Sequence, residues 1–225
     1  MTDIPGSGLP GTKPVPEPRL AASVILLRDT ADGLEAFVQH RVSTMDFAAG
    51  MVVFPGGRVD AADQSGWDYP TELLQAHAAD WHQSSIGTDP DAAAMVLTAA
   101  VREVQEEAGL SIDASDLRPW ANWITPTDMP KRFDTYFYVA KPLPGAEPQH
   151  QTTEAWQSLW MPVNGILEAE AAGTLQLMPP TYYLLKEIAG FGSVEAMWSA
   201  EHAVVPVLAP EGSMAAFLKE RESRR

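Results

Sequence analysis

The sequence predicts a mixed α+β or α/β layered domain with a helical C-terminal addition. Three observations carry that prediction: short branched apolar runs of strand length, one long amphipathic helix with a cap at each end, and further strand-like runs that give way to short helical segments. At 225 residues and 45% hydrophobic content, the chain suffices for one elaborated domain with a substantial core.

Residues 1–18 hold Pro5, Pro10, Pro14, Pro16 and Pro18 among glycines and small polar residues, a composition that reads as a flexible lead-in. A single domain is expected over 19–210. Ala21-Ala22-Ser23-Val24-Ile25-Leu26-Leu27 is a strand closed by the turn residues Ala31-Asp32-Gly33, and Glu35 to His40 is its hairpin partner. Met51-Val52-Val53-Phe54 makes a third strand that stops at Pro55-Gly56-Gly57. After Pro70, the spacing of Leu73, Leu74, His77, Ala78 and Trp81 predicts a short helix. A better helix runs from about 90 to 108: Asp89 caps it, Pro90 suits its first position, Gly109 ends it, and Leu97, Val101, Val104 and Ala108 form its core stripe. Trp123 to Thr125 and Phe133 to Ala140 are strands, and a Pro/Gly/Gln loop covers 141 to about 153. Helical segments follow near 163–172, 180–189 and 193–201, then the apolar run Val204 to Leu208 and a tail over 211–225.

Fifteen Lys and Arg against 30 Asp and Glu leave a net charge of −15, a field that repels nucleic-acid polymers and anionic membranes. Without Cys there is no disulfide framework, thiolate metal site or cysteine nucleophile. No segment has the length of apolar residues needed to span a bilayer, and no signal-peptide core is present, so the expected location is the cytoplasm.

The segment that carries chemistry is Arg102-Glu103-Val104-Gln105-Glu106-Glu107-Ala108-Gly109-Leu110. At about 100° per residue, Glu103, Glu106 and Glu107 fall within an arc of about 100°, opposite Val101 and Val104 and at the end of the helix dipole that disfavours acids. On an exposed face such a cluster costs little, about 0.2–0.5 kcal/mol per pair. In a partly dry cleft two carboxylates about 5 Å apart repel by roughly 3 kcal/mol, and a divalent cation relieves the repulsion. Carboxylate oxygens are hard ligands of the kind Mg²⁺ or Mn²⁺ prefers.

With Phe54-Pro55-Gly56-Gly57 upstream, the sequence resembles the Nudix hydrolases, whose signature is G-x5-E-x7-R-E-U-x-E-E-x-G-U with U aliphatic, commonly preceded by F-P-G. Arg102 to Leu110 matches every defined position of the second half, and the likeness covers roughly residues 19–165. It implies an α/β/α layered Nudix fold. Two departures stand out. Gly57 precedes Arg102 by 45 residues where the signature has 14, an insertion of 31 placed at about 61–89; and a count of eight back from Arg102 reaches Ala94 where the signature has its upstream Glu, so that acid is expected to be absent, with Asp91 the nearest.

The resemblance implies that Glu103, Glu106 and Glu107 hold Mg²⁺ or Mn²⁺, that Arg102 orients Glu103, and that Glu107 or Glu103 is the base for attack of water on a diphosphate. Glu154, in the loop before Trp156 and Trp160, is a candidate for an additional base or ligand. Arg41, Gly56, Gly57 and Arg132 are candidate substrate-binding residues; Arg132 either faces the phosphates or pairs with Asp134. The insertion offers Trp67, Tyr69, Trp81 and His82 as a lid, or else as a packed accessory helix; far downstream, Met178 to Tyr183 is a pocket wall or a plain helix start.

Within the family the chain looks partly like the coenzyme A and acyl-coenzyme A diphosphatases: Arg41, Gly50 and Phe54 to Gly57 stand in register with their motif, while Asp46 replaces its second Arg. The expected partner is a small-molecule nucleoside diphosphate derivative, with coenzyme A derivatives, NADH, ADP-ribose and nucleoside triphosphates open. No nucleic-acid polymer and no membrane is expected, and a homodimer is left open. The alternative is a module that senses a nucleotide without cleaving it.

Overall fold

The computed structural model describes residues 15–42, 48–141 and 145–223. Residues 1–14 and Asp46 lie outside them, and the lead-in's Pro16 is tied to the domain through its carbonyl, which accepts from Arg132 Nη1 at 2.8 Å.

The sheet is built around β1 (Arg19–Thr30), long enough to serve two sets of neighbours. Its C-terminal half pairs antiparallel with β2 (Gly33–Arg41), Leu27 opposite Ala36, through the tight turn at Gly33. Its N-terminal half pairs parallel with β6 (Phe133–Ala140) and antiparallel with β4 (Gly56–Arg58). The short β3 (Val52–Val53) and β7 (Ala155–Pro162) both pair with β2, and β5 (Leu117–Ile124) joins β6 to the parallel edge strand β8 (Val207–Leu208). Two strands differ from expectation. The chain re-enters the sheet at Gly56 as β4 after Pro55, and β7 fills the stretch between the expected loop and the expected helix near 163, where no element is predicted.

Helices cover both faces. Along β1, Val24 and Leu26 point to one core and Ile25 and Leu27 to the other; Tyr136 and Tyr138 alternate with Phe137 and Val139 in the same way on β6. The first core is closed by α1 (Thr71–Asp80) and α2 (Pro90–Ala108), the second by α3 (Val163–Ala171), α4 (Pro179–Ala189) and α5 (Val194–Ser199). This is the α/β/α arrangement. The closing segment, expected as a tail, contains α6 (Ser213–Glu222).

The ends of α2 follow from its sequence. Asp89 accepts from the Asp91 N–H at 3.0 Å, Pro90 begins the helix, and Gly109 adopts φ 65°. The last carbonyls of the helix receive the loop instead of water: the Gln149 N–H donates to Ala108 and the Gln151 N–H to Glu107.

The inserted helix α1 packs on α2, and Trp81 just beyond it is fully buried, edge-on to Tyr136 and Tyr138 at 5.0 and 5.4 Å. The insertion is therefore part of the first core. Trp81 is no lid, because burial of an indole against two tyrosines outweighs any role it has in solvent.

Candidate active site

Gly56 and Gly57 let β4 pass between β1 and α2 at distances no side chain permits. A Cβ on Gly56 would lie 2.6 Å from Ser23 Cα, and one on Gly57 would lie 2.6 Å from Glu103 Cδ. The closeness brings backbone donors to the acids of α2: the Gly56 N–H donates to Glu107 Oε2 at 2.8 Å. Glu103 and Glu107 are buried to 8% and 5% exposure, while Glu106 on the same helix face stays open to solvent.

Arg102 is anchored from every side. Its Nε and Nη2 donate to the two oxygens of Asp63 at 3.0 and 2.9 Å, Nη2 also to the Arg58 carbonyl, and Nη1 to Glu103 at 2.8 Å and Glu106 at 3.1 Å. Asp63 is almost fully buried. It sits in a short 3-10 turn, Ala61–Gln64, whose Asp60 N–H donates to it.

Asp63 corrects the expectation of a missing acid. Counted forward from Gly57, it stands six residues on, at the place where the signature has its Glu; the count back from Arg102 fails because the extra residues lie between Asp63 and Arg102. Ala94, the residue reached by the backward count, is buried in the α2 core.

Titration behaviour follows the packing. Burial raises Glu103, an effect the Arg102 hydrogen bond and charge only partly oppose, and Glu106 and Glu154 add to it. Burial likewise pushes Glu107 up to about 7 against the Gly56 N–H, with the Glu103 charge adding to the rise. Burial also raises Asp63, but the hydrogen bonds from Arg102 and the Asp60 N–H, with the Arg102 charge, outweigh it and hold the group below the ordinary carboxylate range. For Arg102 the Asp63 hydrogen bond is the largest influence and holds the guanidinium above its ordinary value.

The nine residues expected to bind metal or substrate or to act in catalysis border one cleft of about 1570 Å³: Arg41, Gly56, Gly57, Arg102, Glu103, Glu106, Glu107, Arg132 and Glu154. At its mouth Arg41 Nη2 pairs with Glu154 Oε2 at 2.9 Å. Arg132 is held by the carbonyls of Thr125 and Pro16. Its pairing with Asp134 is not formed: Asp134 is buried in the first core, accepting from Asn122 and Ser85 at 2.6 Å each. The Met178 to Tyr183 segment does wall the cleft, through Met178, Pro179, Pro180, Thr181 and Tyr183, whereas Trp67, Tyr69, Trp81 and His82 do not reach it.

Among the described residues no three acids or histidines already converge on one metal-sized point. Glu103 and Glu106 turn to Arg102, and Glu107 to the Gly56 N–H. The donor set nonetheless fits a hard divalent cation: three carboxylates, Asp63, Glu103 and Glu106, share one guanidinium, and the buried Glu107 lies beside them.

This sheet, flanked by helices, with the acids of α2 closing on a Gly-Gly strand, is the architecture of a Nudix domain. The family model described as NUDIX domain matches residues 71–179. It is 28% identical over 182 residues to a Caenorhabditis elegans protein named "Putative nudix hydrolase 7", a match that takes in 76% of this chain and 60% of the worm protein's length. Among solved structures, a NUDIX hydrolase from Alicyclobacillus acidocaldarius superposes with a TM-score of 0.67 at 24% identity, covering 84% of this chain and 99% of that one. The NUDIX domain of Shewanella oneidensis NrtR, solved with ADP ribose, gives a TM-score of 0.51 at 15% identity over 78% of this chain and 88% of that one. Both share the fold. No helix among the described residues is long and apolar enough to cross a membrane.

Proposed function

We propose that the protein is a metal-dependent diphosphatase that hydrolyses a phosphoric anhydride in a nucleoside diphosphate derivative. The observation that supports this best is the burial of Glu103 and Glu107 against the Gly56-Gly57 backbone, with Arg102 fixed between Asp63, Glu103 and Glu106. Clustered acids at the negative end of a helix are destabilising unless a cation uses them.

Glu103, Glu106 and Glu107 would hold Mg²⁺ or Mn²⁺, which when bound supplies charge for the diphosphate oxygens and lowers the pKa of the attacking water. The protein's own groups do the rest. Arg102 keeps Glu103 in place, since two of its three nitrogens are committed to Asp63 and the third reaches Glu103 and Glu106. Glu107 or Glu103 accepts the proton of the attacking water; burial and neighbouring negative charge raise both, which makes each a better proton acceptor once ionised. Arg41 and Arg132, both lining the cleft, are the candidates for binding substrate phosphates, and Glu154 is the additional base or ligand candidate. Coenzyme A and its acyl derivatives are the first substrates to try, on the register of Arg41, Gly50 and Phe54 to Gly57; NADH, ADP-ribose and nucleoside triphosphates follow.

The test is a panel of these diphosphates assayed with Mg²⁺ and with Mn²⁺. Turnover is expected for at least one compound and is expected to vanish in Glu107→Gln and Glu106→Gln while both variants stay folded by circular dichroism. Wild-type turnover in both variants would refute the assignment. Tight binding of a panel member with no turnover would favour a sensor.

A further inference from the structure

Away from the acids, the same cleft changes character. Its floor there is Trp123 of β5 and Phe133 of β6, one wall is the start of α4, and the cover is α6 through Met214 and Phe217. A run of ring contacts ties these elements together: Trp123 stacks on Tyr183 at 5.8 Å and 17°, Tyr183 meets Tyr182 edge-on at 5.2 Å, and Tyr182 meets Phe217 at 6.1 Å. Phe217 is thereby buried to 8% exposure although only eight residues follow it, and Tyr183 is half exposed. The turn leading into α6 is pinned as well, since the Gly212 N–H donates to Asp128 at 2.9 Å and Thr127 donates to Glu211.

We infer that α6 completes the substrate site, and that Phe217, Trp123 and Tyr183 form a subsite selecting an uncharged apolar arm on the side of the diphosphate away from the nucleoside. The inference rests on the diphosphatase reading for the location of the diphosphate. Two features carry it. The subsite is continuous with the acid cluster in one cleft of about 1570 Å³, more than the roughly 300–1000 Å³ a single drug-sized ligand fills, so a two-armed substrate is accommodated. Among the described residues, Trp123, Phe133, Tyr183, Met214 and Phe217 offer area here and no side-chain amide to read the edge of a second base, and apolar pockets discriminate by fit to methylene groups.

Three compounds that share an ADP half separate the possibilities: the methyl ester of ADP, the octyl ester of ADP, and diadenosine diphosphate. The octyl ester is expected to exceed both others in kcat/KM by at least about tenfold, mainly through KM. In full-length Phe217→Ser that preference is expected to collapse to within about twofold, and Phe217→Leu is expected to restore most of it. Binding of the same compounds, measured by calorimetry in EDTA, gives a readout independent of turnover. Octyl-selective, Phe217-dependent binding without hydrolysis by any metal would leave the subsite standing and remove the diphosphatase reading. Equal binding of the methyl and octyl esters, a stronger response to diadenosine diphosphate, or octyl preference unchanged in a folded Phe217→Ser protein would overturn the inference.

Discussion

Replacing Gly57 by Ala puts the close approach of β4 to α2 to a direct test. The backbone at Gly57 lies outside the left-handed region, so alanine is allowed there and the perturbation is the methyl alone. That methyl would overlap Glu103 Oε1 and lie 2.6 Å from Cδ, whereas ordinary contact begins at 3.4 Å, so the carboxyl has to retreat by at least about 0.8 Å. The retreat takes Glu103 away from Arg102, whose Nη1 now holds it at 2.8 Å. A displacement near 1 Å at a reacting group costs about 100-fold in rate. Stability should change by no more than about 1 kcal/mol, because the clash falls on the end of a flexible side chain and the loss of unfolded-chain freedom at position 57 partly compensates. The assay is kcat/KM on the best substrate from the panel, with urea unfolding in parallel. Glu103→Asp, one methylene shorter, should recover part of the activity in the Gly57→Ala background. Wild-type kcat in Gly57→Ala, with the protein folded, would show that the seat of Glu103 against this backbone has no part in the chemistry.

Asp63→Asn removes the charge from a buried partner of Arg102 while the guanidinium keeps Glu103, Glu106 and the Arg58 carbonyl; urea unfolding at pH 7 should report a loss of about 2 kcal/mol, with kcat reduced as Glu103 loosens. His77 gives a pH signature unrelated to the site. Burial lowers it to about 4 from 6.5, so as pH falls from 6.5 to 4 the unfolded chain takes up a proton the folded protein refuses, and stability is lost over that window. About 2 kcal/mol should disappear between pH 7 and pH 5, and the difference between wild type and His77→Leu in unfolding free energy, measured at both pH values, should show it; parallel pH curves for the two proteins would contradict this origin.

Helix α2 is legible in the sequence because all its determinants are local: a cap at Asp89, Pro90 at the start, Gly109 at the end and an apolar stripe between. The alternating runs of β1 and β6 are legible for the same reason. Strand β7 is not, since its residues from Trp156 to Pro162 are only partly buried or exposed, and no alternation survives where the strand is held by pairing with β2 alone. The placement of the acids on one face of α2 is readable from helical spacing, but the burial of Glu103 and Glu107 depends on Gly56 and Gly57 meeting them from 50 residues away. Asp63 was within reach of the motif when counted from Gly57, and it is hidden when counted from Arg102. Phe217 has no distinctive signal of its own: one aromatic in the short apolar run Met214 to Leu218, followed by the charged residues from Lys219 on, reads as tail until α4 is in place beneath it.

The Asp63–Arg102 pair has a consequence for how this chain came to differ from its relatives. Between the two partners run 38 residues, where the signature has seven, yet both ends of the excursion are fastened to each other by two hydrogen bonds. Closing the longer span costs only about 1.4 kcal/mol more, because closure entropy grows with the logarithm of length. One buried indole, Trp81, is enough to offset it. The clasp therefore isolates the reacting end of α2 from whatever is spliced between its halves, which makes this point of the chain a natural port for new sequence, in evolution or by engineering.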